Sequence, residues 1–386
     1  MRVFCFFVEP ASYTLDLAIN IYDKKNIEYC FIKSKTEAVS DKISNKVFLD
    51  KLSFLCKIKF ILSQFYKTDL IIINGYNNYP FIFTFLLNVL SLRKRFIATD
   101  SDTQLSIPNN LLKRFLKWVY LSIIFRSKYV LGFAGGNNSH KELFRSYGMS
   151  ESRIFLMPMM VDNQKYYHDV KRFPEIFTFL FVGRLIETKN VDMLCESFIN
   201  SFEGKNAKLV IVGGGENLSN FQIKYSHQQI EFKGGIFDKR LIQLYHNSSV
   251  FVFPSSVEAW GLVVNEAMAQ GLPVISSKFV GANADLLEGK ETGLIFDPEE
   301  KADLGNKMHK IYKDADFYEK ASENAFNLLN TYWNYDLYSK QLLLAIDKMI
   351  DVLVEQNIEP SAVRKLVLAV FSDMQFDQAN GDCGGY

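Results

Sequence analysis

The sequence predicts an α/β chain of two doubly wound parallel-sheet domains. Three observations carry this expectation: short apolar runs alternate with helical stretches, the runs are apolar on both faces, and the pattern pauses near residue 165 and then restarts. In chain order, "RVFCFFVE" (2–9) and "EYCFIK" (28–33) read as the first strands. "DLIIINGY" (69–76), "RFIATDSD" (95–102) and "YVLGFAGG" (129–136) follow, and a sixth strand lies in "RIFLMPMMVDNQKYY" (153–167). Helical stretches fall between them at 12–24, 50–66, 80–93, 109–127 and 138–147. A polar linker to about Phe173 leads to the second set. Its strands are "FTFLFVGRL" (177–185), "AKLVIVGGGE" (207–216), "IEFKGGI" (230–236), "SVFVFPSS" (249–256), "PVISSKF" (273–279) and a short one within 283–300. Helices are expected at 190–202, 217–227, 238–247, 262–270, 301–330 and 332–354. The expected domains are therefore 1–165 and 166–335, with ligands in a cleft between them at the carboxyl ends of the strands. Residues 355–386 change character and receive no assignment.

Composition narrows the class. A chain of 386 residues that is 48% hydrophobic and 23% charged is long enough for two or three domains with sizeable cores, which excludes a disordered chain. The cysteines (5, 30, 56, 195, 383) form no short-spaced pair, so neither a disulfide framework nor a zinc site is expected, and a reducing, cytoplasmic setting fits. The chain opens on a strand-like run rather than a signal peptide. The longest apolar stretch, 80–92, is shorter than the ~20 residues that span a bilayer, so no transmembrane helix is expected. Charge divides the chain. Residues 1–160 hold 22 Lys and Arg against 12 Asp and Glu, whereas residues 161–386 hold 22 against 31. The basic half contains "NNLLKRFLKWVYLSIIFRSKYV" (109–130), a mixture of bulky apolar and cationic residues suited to a bilayer interface, with "PFIFTFLLNVLSLRKR" as a second candidate.

The informative loops follow strands. In "VFVFPSSVEAWGLVVNEAMAQGLPVISS" (250–277) a strand ends at Pro254, a small loop follows, and a helix begins near Gly261. Gly271 and Pro273 then stop it. Backbone N–H groups over Ala259, Trp260, Gly261 and Leu262 can bind phosphate at that helix start. Glu258 and Glu266 flank it, and carboxylates suit sugar hydroxyls. Upstream, a strand ends in Gly183 and then Arg184, with Lys189 five residues on. Two cations after a strand end can clamp a diphosphate and offset the charge that grows on it as it leaves. Asn190 is a candidate N-cap for the next helix. "LVIVGGGE" lacks the third glycine of a dinucleotide fingerprint, since Leu218 stands in its place, and so reads as a tight turn.

This loop and helix resemble the signature of the retaining GT-B glycosyltransferases of glycosyltransferase family 4, the glycosyl transferases group 1. Two glutamates with seven residues between them mark that family, and here they are Glu258 and Glu266. The resemblance implies a GT-B fold, with Glu258 on the transferred sugar, Glu266 on the ribose of the nucleotide, and Arg184 and Lys189 on the diphosphate. It also implies that the backbone of "FKGGIF" lines the base, which makes Lys233 and Gly234 donor-side candidates, and that a helix near 336–354 crosses back onto the first domain. The implied reaction is transfer, with retention, from a nucleotide diphosphate sugar to a sugar or lipid-linked acceptor at the inner face of the membrane, in surface polysaccharide synthesis. Neither a metal nor a cofactor is implied. "EAW" departs from the usual Glu-Gly-Phe: Ala259 adds a methyl group, and Trp260 is expected to reshape the sugar pocket.

On the acceptor side, many members of the family carry a histidine after the fourth strand, where this chain has Asp100-Ser101-Asp102. One of the two acids is expected in the cleft. Gly135 and Gly136 end the next strand before a helix start near Asn138. "FVEPAS" lacks the glycines that many members carry after the first strand. His140, His168, His227, His246 and His309 lack ligand spacing and read as structural. Three rival readings remain at this stage: a nucleotide-sugar epimerase of the same form, a non-catalytic sugar or lipid binder, and a dinucleotide oxidoreductase, the last disfavoured by the incomplete glycine motif.

Overall fold

The computed structural model describes residues 1–34, 47–92, 94–101, 107–136, 140–167, 170–171 and 173–354. It contains two six-stranded parallel sheets. The first holds β1 (Val3–Phe7), β2 (Glu28–Phe31), β3 (Leu70–Asn74), β4 (Phe96–Ser101), β5 (Val130–Ala134) and β6 (Ile154–Leu156), in the order β2-β1-β3-β4-β5-β6. The second holds β7 (Phe177–Val182), β8 (Ala207–Val212), β9 (Ile230–Gly234), β10 (Val250–Phe253), β11 (Val274–Ser277) and β12 (Gly293–Phe296), in the order β12-β11-β10-β7-β8-β9.

The strands form where the apolar runs lie because both faces are covered. Every residue of β5 and β7 is buried. Within β1, Cys5 and Phe7 point into one apolar core while Phe4 and Phe6 point into the other, as the two-residue period of a strand requires. One core lies under the helices Phe54–Lys67, Tyr79–Leu90 and Leu111–Arg126. The other joins the opposite face of the first sheet to the second lobe and to Trp333, Leu337 and Tyr338.

Strand order places the sites. Each sheet has one point where the chain reverses direction across it, between β1 and β3 in the first and between β7 and β10 in the second. Crevices open at such points.

Some elements differ from expectation. The stretch 12–24 is an α-helix (Ser12–Leu17) that widens into a π-helix (Ala18–Asp23). The helix expected at 138–147 starts at Lys141, and Asn138 lies outside the described residues. Residues 301–330 break into Asp303–Lys313 and Ala315–Asn327, because Asp314 caps the second through the Phe317 amide at 3.0 Å. Just before the linker lies the helix Asn163–Tyr166, whose Asn163 amide donates to the carbonyls of Leu329 and Trp333; within the linker, the Lys171 N–H donates to the Ser322 hydroxyl. The helix Tyr335–Val354 packs on the first lobe, where Tyr338 and Tyr22 share a hydroxyl–hydroxyl bond of 2.9 Å and the Leu156 amide donates to Gln341.

Candidate active site

The second-lobe crevice is built from two loops fastened together. The turn Glu187–Lys189 lies against the loop after β10. Thr188 O accepts from the Ser256 amide at 2.8 Å and from the hydroxyls of Ser255 and Ser256. Asn190 does precede the next helix, with φ of 49°, yet its side chain caps nothing. It donates instead to Pro254 O at 3.0 Å, a second tie between the loops. Lys189 is thereby set 5.0 Å above the Phe253 ring and forms an ion pair with Glu258. Arg184 is exposed and makes no ion pair with a described residue.

Backbone packing holds Arg184 in place. At Gly213, with φ of +152°, a Cβ atom would lie 1.8 Å from the Gly183 carbonyl oxygen, so only glycine lets the ends of β7 and β8 meet. The Leu185 amide donates to Gly214 O at 2.9 Å, and the Gly213 amide to Gly234 O at 2.8 Å. The glycine run therefore makes a tight turn beside Arg184. Lys233 pairs with Glu231 at 2.5 Å.

The helix Leu262–Ala269 starts at Gly261, whose φ of 100° turns the chain sharply inward, and no side chain caps it. Its first amides are left open to an anion, and its dipole favours one. Glu266 lies on its second turn, half-buried. The Tyr245 hydroxyl donates to it at 2.8 Å and Tyr166 adds another hydrogen bond. Burial raises its pKa and the two hydroxyls hold it down, with burial the larger effect.

Trp260 corrects the sequence reading. Its side chain is 2% exposed, its indole N–H donates to Asn265 at 2.8 Å, and its ring stacks on Trp333 at 5.5 Å and 12°. The bulk that replaces the usual phenylalanine fills the junction between the lobes and is not available to line a sugar pocket. Ala259 is exposed, and its carbonyl accepts from His140 Nε2 of the first lobe at 3.2 Å.

The first-lobe crevice is a cavity of ≈ 330 Å³ whose wall includes Glu9, Asn74, Asp100, Gly135 and Met159. Asp100, the second-to-last residue of β4, is held by the Asn74 amide and by the Gly75 N–H at 2.6 Å. Asp102 lies outside the described residues. Gly136 is buried, and a Cβ atom on Gly135 would sit 2.6 Å from Met159 and 3.1 Å from His140. His140 thus touches both the cavity wall and the Glu258 loop. Sequence reasoning took it as structural and missed Asn74, Tyr166, Tyr245 and Asn265 altogether. No spacing signals them, because their partners lie between 5 and 119 residues away along the chain.

No group of His, Cys, Asp or Glu among the described residues is arranged to hold a metal ion. No helix among them is long and apolar enough to cross a membrane.

Residues 162–328 match the family described as glycosyl transferases group 1. Similar proteins include the mannosylfructose-phosphate synthase of Agrobacterium fabrum, 27% identical over 56% of this chain and 52% of its own. The capsular polysaccharide biosynthesis glycosyltransferase CapM of Staphylococcus aureus is 29% identical over 50% of this chain and 48% of its own. The chain spans about half the length of these curated relatives. Anabaena HepE, solved in complex with UDP, shares the fold with a TM-score of 0.67 at 16% identity, over 90% of this chain and all of its own. A Rickettsia africae glycosyltransferase gives 0.70 at 17% identity, over 90% of this chain and 98% of its own. The two lobes have the GT-B arrangement.

Proposed function

We propose that this chain is a group 1 glycosyltransferase that transfers a sugar, with retention, from a nucleotide diphosphate sugar to an acceptor hydroxyl on a membrane-associated glycan. The observation that carries this reading is the Lys189–Glu258 ion pair beside the uncapped helix start at Gly261, where a Cβ atom would lie 3.3 Å from the Glu258 side chain, with Arg184 exposed five residues before Lys189 in the same loop after β7. The diphosphate takes the place of Glu258 on Lys189 and bonds Arg184 and the helix amides. Glu258, once released, accepts hydroxyls of the sugar, and Glu266 accepts those of the ribose. Lys233, Gly234 and the Gly183 turn face the nucleotide. The acceptor oxygen bonds to the anomeric carbon on the face from which the diphosphate departs. The bond from that carbon to the phosphate oxygen breaks, and the acceptor proton passes to the leaving phosphate. Cations and amides stabilise the growing charge, so no metal is needed.

Membrane contact rests on the first lobe. Leu111, Leu112, Phe115, Leu116, Trp118 and Ile123 are exposed on one helix together with Lys113 and Arg114. Leu86, Val89 and Leu90 are exposed on a neighbouring one. Apolar side chains interleaved with cations suit an anionic bilayer surface.

The test is a panel of UDP-glucose, UDP-galactose, UDP-N-acetylglucosamine and GDP-mannose, scored first by thermal stabilisation and then by transfer to lipid extracts. A donor at a hundred times its Kd should stabilise the fold by about 2.7 kcal/mol. Arg184→Ala and Lys189→Ala should each lower kcat on the order of 100-fold. Unchanged turnover in both variants contradicts the leaving-group role. Conversion of the donor without an acceptor would mark an epimerase instead.

A further inference from the structure

The loop that carries Glu258 is fastened from two sides. Its own lobe holds the carbonyls of Glu258 and Trp260, which accept from the Gly281 amide at 3.0 Å and the Ala282 amide at 3.1 Å. The carbonyl between them, that of Ala259, is taken by the first lobe through His140 Nε2 at 3.2 Å. A carbonyl only accepts, so this contact assigns the Nε2–H tautomer to the ring.

His140 lies directly before the helix Lys141–Ser146 and is fully buried. Its ring is confined on two sides. The Trp260 ring lies 5.6 Å away, itself fixed by Asn265 and Trp333. Gly135 lies behind, where a Cβ atom would come within 3.1 Å of Nδ1. The imidazole therefore cannot leave Ala259 without displacing packed neighbours. Glu258, one residue earlier, has its side chain on Lys189, in the ion pair that the donor diphosphate would replace. Once that pair opens, the backbone on either side is what keeps the carboxylate aimed.

We infer that His140 is a positioning residue for the sugar of the donor: by holding the Ala259 carbonyl it fixes the backbone from which Glu258 reaches the sugar hydroxyls. The inference rests on the transferase reading of the same site. It makes recognition of the sugar depend on the first lobe. The proposed contacts to nucleotide and diphosphate, from Arg184, Lys189, Glu266 and the helix Leu262–Ala269, all lie in the second lobe. There the side-chain anchors of Trp260 hold the helix start without help from His140.

The experiment is calorimetric titration of the full chain with UDP-glucose, UDP-galactose, UDP-N-acetylglucosamine and GDP-mannose, and with UDP and GDP alone. His140→Leu keeps apolar bulk beside Trp260 and removes the N–H. Ala259 is exposed, so its carbonyl can turn to water and the loop can shift while the fold persists. His140→Gln restores an N–H of similar reach. For the nucleotide sugar that wild type binds most tightly, His140→Leu should raise Kd ~10-fold, the effect of one hydrogen bond to a charged group. The Kd of the parent nucleoside diphosphate should stay within ~2-fold, and His140→Gln should bring the nucleotide sugar back to within ~3-fold of wild type. Equal weakening of nucleotide sugar and nucleoside diphosphate, or no weakening of either, overturns the inference. So does a His140→Gln variant no better than His140→Leu. Failure of the wild-type chain to bind any of the nucleotide sugars overturns the transferase reading itself, and the inference about His140 falls with it.

Discussion

Lys189 pairs with Glu258 while lying over the Phe253 ring, so the two residues proposed above to hold different parts of a donor are held together. The pair keeps two half-buried charges compensated, because a buried charge left alone is costly. Glu266 illustrates the opposite balance. Burial raises its pKa, so the folded chain holds that proton more tightly than the unfolded chain does. The contribution of Glu266 to stability is therefore most favourable at low pH and declines as pH rises from the ordinary carboxylate range through its raised value. Glu266→Gln should raise Tm at pH 7 relative to wild type, with the gain shrinking in acid. The same substitution should weaken nucleotide binding about 10-fold, in line with losing a charged hydrogen bond of ~1.5 kcal/mol. Calorimetric melts across pH and titration with the nucleotide check both halves. A variant that is less stable at pH 7 would contradict the sign.

At the level of elements, the second-lobe site depends on backbone that side chains would obstruct. Gly213→Ala places a methyl group against the Gly183 carbonyl, which cannot yield without moving the end of β7. The loss should reach at least about 3 kcal/mol, the upper range for overpacking and strained backbone. Gly214→Ala, whose Cβ atom would meet nothing within 4 Å, should stay within about 0.5 kcal/mol. Urea denaturation midpoints of the pair separate close approach from glycine content as such. The helix Leu111–Arg126 makes an element-scale prediction as well. Binding to vesicles containing anionic lipid should weaken as salt rises and drop several-fold in the Phe115→Ser, Trp118→Ser double variant. Salt-independent binding, or binding indifferent to the double variant, would place the membrane contact elsewhere.

Across the whole molecule, one knot joins the lobes. The Met159 carbonyl accepts from Asn265 at 3.2 Å and from the Trp333 indole at 2.8 Å, while the Met159 amide donates to Gly135 at 2.7 Å. The first lobe, the segment after β6, the helix Leu262–Ala269 and the turn before the helix Tyr335–Val354 thus converge on one residue, with Trp260 and His140 packed together nearby. The crossover also carries Lys171, which donates to the His246 carbonyl and whose pKa burial lowers to about 8. The fold disfavours its charged form, so the penalty is fully present below pH 8 and fades as pH rises toward the ordinary lysine value. Lys171→Met should therefore raise Tm at pH 7, with the difference vanishing near pH 10.5. A gain that grows with pH would refute this account.

The sequence alone determined the twelve strands and their grouping in two sets of six, because a strand covered on both faces must be apolar throughout and reads as such without partners. It also determined Arg184, Lys189, Glu258 and Glu266 as candidates, since loops after strands carry their chemistry at short, fixed spacing. Only the tertiary structure decided that Trp260 fills the junction between the lobes, that His140 reaches the Glu258 loop, and that Tyr166 and Tyr245 hold Glu266. Those contacts join residues from separate elements, and nothing in local periodicity or spacing encodes which distant side chain a fold brings within hydrogen-bond reach.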